Sequence, residues 1–191
     1  MKNLDSNLKS KLLPLILLIV VFAVDQITKM LIVRYLPLKP GLYMTYGPEF
    51  LGDFLRIVHV RNTGAAFSLG ANWPVTVRRI FLAAVPAICL IALMVYYFKT
   101  NDLTKFQRWM ITGIVGGGFG NVTDRVFRAQ GVVDFIDVKV YGFLGHERWP
   151  TFNAADSFIV VCGIALLLSI IIPMVKDYRK TKKEKQAKAG K

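Results

Sequence analysis

The sequence predicts an all-α integral membrane protein in which four transmembrane helices carry a small β-sheet on the outer membrane surface. Three observations point there. The 191 residues are 54% hydrophobic with a mean hydropathy of +0.45, outside ordinary soluble composition. Four apolar stretches approach the roughly 20 residues that cross a bilayer. Between the first two lies a run of short aromatic and β-branched segments broken by turn residues.

The first span covers residues 12–36. Lys9 and Lys11 precede its apolar start at Leu12, which would also suit a cleaved leader. No small-x-small cleavage site follows, since Val24, Asp25, Gln26 and Ile27 come next, and the helical pattern continues to Leu36, so a retained span is expected. Asp25 and Lys29 stand four apart on one helix face and read as a structural tie to the outer surface.

From Leu38 to Leu69, turn signals at Lys39-Pro40-Gly41, Gly47-Pro48 and Gly52-Asp53 separate the short runs. Arg56-Ile57-Val58-His59-Val60-Arg61 alternates well enough for a strand. Asn62-Thr63-Gly64 then turns the chain before Ala65-Ala66-Phe67. A plain hairpin with Gly64 at positive φ is the favoured reading there, ahead of a small-residue turn that lets a peptide backbone approach.

The second span, residues 80–98, contains no charge. The third, residues 109–121, is short and rich in glycine, and Gly116-Gly117-Gly118 with Gly120 permit close helix contact. Its polar end, with Asn121, Asp124 and Arg125, is expected to face a bundle interior rather than lipid. Asn121 shares a helix face with Asp124 and Arg125, and a polar network closing the span and a substrate-binding role stand equally open. Asp134 lies in the apolar run Val132-Val133-Asp134-Phe135, suited to a strand or re-entrant edge, where a carboxylate has little structural purpose. The fourth span covers residues 158–175 and is opened by Asp156. As an N-cap, Asp156 would satisfy first-turn amides and gain about 1 kcal/mol from the helix dipole. Asn153 could cap instead and release Asp156 for chemistry.

A basic tail, residues 176–191, follows. No linker or repeat divides the chain, so residues 1–191 are expected to form one membrane-embedded domain. Lys99, Lys105 and Arg108 and the lysine-rich tail place those segments, and with them both termini, in the cytoplasm; Lys2, Lys9 and Lys11 agree. Lys39, Arg56, Arg61, Arg78 and Arg79 on the outward segment weaken that bias without reversing it. The formal charge of +13 suits a tail facing lipid headgroups, at about 1 kcal/mol per basic residue near an anionic leaflet. It suits a nucleic acid partner poorly.

Two carboxylates at the margins of apolar stretches, Asp134 and Asp156, are the simplest apparatus for activating water. Cys89 and Cys162 lack C-x-x-C spacing and read as packing residues inside spans. His59 and His146 form no H-E-x-x-H pattern, so neither a metal nor another cofactor is expected. No serine sits in G-x-S-x-G context. From the residues alone, a small transporter using Asp25, Lys29, Asp124 and Arg125, or a lipid-binding module, stays open beside a hydrolase.

Five segments in order then narrow the choice: Asp25-Gln26-Ile27-Thr28-Lys29, Asn62-Thr63-Gly64-Ala65-Ala66-Phe67, Gly120-Asn121-Val122-Thr123-Asp124-Arg125, Val133-Asp134-Phe135 and Phe152-Asn153-Ala154-Ala155-Asp156. Interleaved with four spans, they resemble the lipoprotein signal peptidases, the bacterial type II signal peptidases. The resemblance implies a multi-pass, metal-independent intramembrane aspartic endopeptidase of the bacterial inner membrane. It would act as a monomer among membrane lipids, with both termini cytoplasmic and the active site near the periplasmic face. Its substrates would be prolipoproteins carrying diacylglyceryl on a cysteine, cleaved just before that cysteine to release the signal peptide. By motif position Asp134 and Asp156 match the catalytic pair. Asn62, Asn121, Asp124, Arg125 and Asn153 match the supporting polar shell, with Gly64, Asp25 and Lys29 beside it. Arg125 is expected to hold substrate carbonyls or orient Asp124, since a guanidinium keeps its protons. An extra residue between Asp124 and Asp134, and the long stretch Tyr141 to Trp149, depart from the family spacing and bear on loop geometry.

Overall fold

A computed structural model describes residues 8–64 and 74–189. Its long elements are α1 (Leu15–Tyr35), β1 (Met44–Phe50), β2 (Leu55–Asn62), α2 (Val75–Lys99), α3 (Lys105–Phe127), β3 (Val132–Val138) and α4 (Ala154–Ala189). Among the described residues three helices, those of α1, α2 and α4, are long and apolar enough to cross a membrane. The 23-residue α3 is not one of them.

Helix α3 is the centre of the bundle, packed against α1, α2 and α4. Ile111, Val115 and Val122 of α3 form the core with Leu90 and Tyr97 of α2. A helix enclosed by other helices needs no apolar exterior, which accommodates its polar residues. Small residues bring the backbones together: a Cβ at Gly116 would stand 2.6 Å from the Leu18 carbonyl oxygen of α1, and one at Gly117 would stand 2.6 Å from that of Ala155 on α4. The expected span of residues 109–121 is too short at both ends. Thr104 and Gln107 close a capping box, with Gln107 N–H donating to Thr104 Oγ1 at 3.2 Å and Thr104 N–H donating to Gln107 Oε1 at 3.0 Å, so the helix starts at Lys105.

Helix α4 also outruns its expected length. Its 36 residues continue to Ala189, so the described part of the basic tail is helical. Beyond Pro173 no glycine or proline interrupts the sequence before Gly190, and lysine, glutamine and alanine sustain a helix.

The sheet is antiparallel in the order β1-β2-β3. Leu51 and Gly52, both at positive φ, turn β1 into β2. Gly47-Pro48, expected as a turn, lies inside β1, where the register shifts between Tyr46 and Glu49. An edge strand tolerates proline at such a bulge because no ladder bond needs its missing N–H. The hairpin expected at Asn62 to Phe67 falls partly on residues 65–67, outside the described residues. Register sets Val60 opposite Asp134 and Asn62 opposite Val132.

The long stretch from Tyr141 to Trp149 closes on itself. Arg148 Nε donates to both Asp137 oxygens at 2.7 Å, and Trp149 N–H donates to the Val138 carbonyl at 2.8 Å. Phe152 then bridges to Ile136, which delivers Asn153 beside β3.

Candidate active site

Asp134 and Asp156 reach one site from two elements. Asp134 projects from β3 on the face it shares with Asn62, by the alternation of strand side chains. It is 2% exposed. Asn62 Nδ2 donates to its Oδ2 at 2.9 Å and Asn153 Nδ2 donates to its Oδ1 at 2.7 Å. Burial pushes the Asp134 carboxyl from 3.8 up to about 7; the two amide donors pull it down, and the charge of Asp156 pushes it up again.

Asp156 lies in the first turn of α4 and is not its N-cap. Asn153 takes that place, accepting the Asp156 N–H at Oδ1 at 3.0 Å, while the Asn153 N–H donates to Asp156 Oδ2 at 3.1 Å. The exchange is reciprocal because the residues stand three apart across the helix start. Asp156 Oδ1 accepts from Asn121 Nδ2 at 2.7 Å. Asn153 therefore binds both carboxylates, one through its side-chain amide and the other through its backbone.

Behind this pair lies a buried ionic layer. Lys29 Nζ is fully buried, 2.8 Å from Asp25 and 3.0 Å from Asp124, and donates to Asn121 Oδ1 at 2.9 Å. Asn153 Nδ2 donates to that same oxygen at 3.1 Å. With its oxygen between two donors, Asn121 can turn only its Nδ2 toward Asp156. Asp124 also accepts from Arg128 Nε at 2.8 Å, so within this layer two cations face two carboxylates.

The pair Asp25–Lys29 ties helices together rather than reaching the outer surface, because both side chains have no exposure and Asp25 Oδ1 accepts the Ala155 N–H of α4 at 3.0 Å. Mutual pairing of this kind does not leave Asp25, Lys29 and Asp124 as free groups along a transport path. Asp124 is oriented by Lys29 and Arg128, and among the described residues Arg125 makes no hydrogen bond or ion pair. Adjacent helical residues diverge by about 100°, whereas Arg128 stands four after Asp124 and meets it. Arg125 is half-buried and shares its face with Asn121. The charges acting on it are those of Asp156, Asp134 and Asp124, in that order.

Gly64 contributes its backbone: its N–H donates to Asn62 Oδ1 at 3.0 Å, an Asx turn that aims Asn62 Nδ2 at Asp134. Cys162 is buried as expected of a packing residue, but Cys89 is exposed. Arg128 and Gln26 were not singled out by the sequence. Gln26 Nε2 donates to Asp25 at 3.1 Å, to the Gly120 carbonyl at 3.1 Å and to Asp124 at 3.3 Å. The spacing of Arg128 from Asp124 was the available signal; Gln26 offered none beyond its place beside Asp25.

A model of the family described as Signal peptidase (SPase) II matches residues 17–172. The chain is 51% identical over 172 residues to a lipoprotein signal peptidase of Treponema denticola, covering 90% of this chain and 96% of that one. It is 45% identical to one of Treponema pallidum, covering 85% of each. A solved bacterial membrane enzyme superposes with a TM-score of 0.66 at 29% identity, covering 86% of this chain and 88% of that one. With membrane-competent helices around a paired-carboxylate site, the chain belongs to the signal peptidase II family.

Proposed function

We propose that this protein is an intramembrane aspartic endopeptidase that removes the signal peptide from diacylglyceryl-modified prolipoproteins, cleaving just before the lipidated cysteine. The observation that carries the reading is the double engagement of Asn153, which holds Asp134 and Asp156 within reach of one residue. The lipoprotein signal peptidases among its relatives support the substrate class. In this reading α3 completes four crossings, both termini are cytoplasmic, and the sheet and site lie at the periplasmic face of the inner membrane. The protein acts as a monomer.

With its carboxyl pushed up to about 7, Asp134 keeps its proton in about half of the molecules at neutral pH, and that protonated fraction is the reactive one. Asp156 takes a proton from water, and the water oxygen attacks the scissile carbonyl while Asp134 gives its proton to the carbonyl oxygen. Collapse of the tetrahedral intermediate breaks the C–N bond, passes the proton held by Asp156 to the leaving nitrogen and returns a hydroxyl proton to Asp134. Asn62 and Asn121 keep the two carboxylates from rotating. Arg125, without an internal partner among the described residues, receives a substrate carbonyl.

The test is a gel-shift assay of the purified protein with one diacylglyceryl-modified prolipoprotein. The modified precursor is expected to lose its signal peptide and the unmodified precursor to stay intact. Equal cleavage of both precursors, or of neither, would overturn the assignment.

A further inference from the structure

A recess of about 460 Å³ opens between the C-terminal end of α1, the loop that follows it and β2. It has no part in the chemistry above. His59 and Arg61, which line it, alternate along β2 with Val60 and Asn62, and Val60 is the register partner of Asp134. Strand alternation therefore turns them to the opposite face of the sheet from the carboxylates.

The polar groups of this recess are under-used. His59 is 1% exposed, and its Nδ1 lies 2.8 Å from the Leu36 carbonyl oxygen. A carbonyl only accepts, so Nδ1 is the protonated nitrogen. Burial, with Arg61 and Arg128 nearby, holds the imidazole below its ordinary value against the pull of the Leu36 bond, so Nε2 carries a bare lone pair. That Nε2 is buried without a partner, and so is the Arg61 Nε. Unpaired buried polar atoms are costly and scarce in folded proteins. Lys39 and Gln130 also line the recess, with Val33 and Leu42 as apolar neighbours, and among the described residues no carboxylate does; Asp124, whose charge reaches Arg61, lies outside the lining and is already paired with Lys29 and Arg128.

Guanidinium and ammonium groups without a carboxylate select an oxyanion, and the arginine fork suits phosphate. The lone pair on His59 Nε2 adds a requirement for a donor beside that anion. We propose that this recess is a phosphate-binding site, for a phosphate that carries a neighbouring hydroxyl or ammonium group. A glycerophospholipid headgroup has that chemistry, and so does hydrogen phosphate through its own P–OH. Arg61 and Lys39 hold the anionic oxygens, and His59 Nε2 accepts from the donor. The apolar neighbours at the end of a membrane-competent helix would receive the start of a lipid's acyl chains.

The experiment is calorimetric titration of the full-length protein in a non-ionic detergent, at constant ionic strength, with soluble dihexanoyl-phosphatidylglycerol and, separately, with sodium phosphate. The wild type is expected to bind the lipid saturably, and Arg61→Gln to weaken it by about tenfold or more, the loss of a charge-assisted hydrogen bond. Arg34→Gln, which removes a nearby cation outside the recess lining, is expected to bind like wild type. Arg61-dependent binding of sodium phosphate without lipid binding would identify free phosphate as the source. No Arg61-dependent binding of either ligand by a folded variant would overturn the proposal. Should Arg61→Gln fail to fold, the exposed Lys39→Gln decides: weaker binding supports the site and unchanged binding removes it.

Discussion

At Asp134 and Asp156, replacement by asparagine keeps the shape of the side chain and removes its capacity to exchange a proton. Each single change is expected to abolish turnover with the fold intact, and the double variant to be little worse than either, since groups that act as a unit lose activity non-additively. Cleavage rate per folded protein, with folding followed by thermal shift in detergent, measures this; brisk cleavage by either variant would remove that residue from the pair. Asp134 also predicts a pH signature. Its carboxyl, at about 7 when folded against 3.8 ordinarily, holds a proton that the unfolded chain has released between those values. Stability from this group is complete below about pH 4 and declines as pH rises to about 7, by as much as about 4 kcal/mol. Asp134→Asn is expected to flatten that slope in thermal midpoints taken across the interval, and an unchanged slope would contradict the shift. The wild-type kcat/KM should fall on the alkaline side as the acid is lost. Asp134 stood out in the sequence because its apolar run gave a carboxylate no ordinary purpose, and Asp156 because Asn153, three residues earlier, could take the capping role that would otherwise account for it. Arg128 did not, because its partner Asp124 depends on where α3 ends, and the expected span stopped at Asn121.

The elements meet through backbone contacts, and Gly117 is where α3 touches the start of α4. Gly117→Val is expected to destabilise the protein by about 1–3 kcal/mol and to lower kcat by moving the first turn that carries Asp156. Gly163→Ala, with nothing within 4 Å of an added Cβ, is the matched control and should leave the rate unchanged and stability equal or up to about 1 kcal/mol higher, since alanine favours the helix interior. Equal thermal midpoints and rates for the two variants would refute the close-contact account. Element existence was plain from the four apolar stretches and from the alternation in Arg56 to Arg61. Element ends were less so. The start of α3 is decided by the Thr104–Gln107 box and that of α4 by Asn153, local hydrogen bonds to which a hydropathy window is blind. Gly47-Pro48 misled for the complementary reason: the dipeptide ordinarily marks a turn, but edge position in a sheet is a tertiary fact.

For the molecule as a whole, the basic segments before α3 and after residue 175 predict a shared side for both termini. Cysteines placed at Lys183 and at Gly142, in a background free of Cys89 and Cys162, should label from opposite faces of the membrane with an impermeant reagent. Labelling of both from outside intact cells would exclude the four-crossing arrangement. The four apolar stretches and the order of the motifs were visible in the sequence, and the polar end of α3 was expected to face a bundle interior; that α3 packs against all three other helices was not visible, because those contacts are tertiary. One local feature has a global reach. Asn153 closes the first turn of α4 and, from the same residue, bridges the two carboxylates. Helix termini open long before a whole bundle melts, so each opening of this turn disassembles the reaction centre while the remaining fold persists. Heat is therefore expected to switch the protein off reversibly below its melting temperature. Turnover followed through a thermal ramp should fade ahead of the unfolding signal and return on cooling; coincident loss of the two would show that the turn opens only with the bundle.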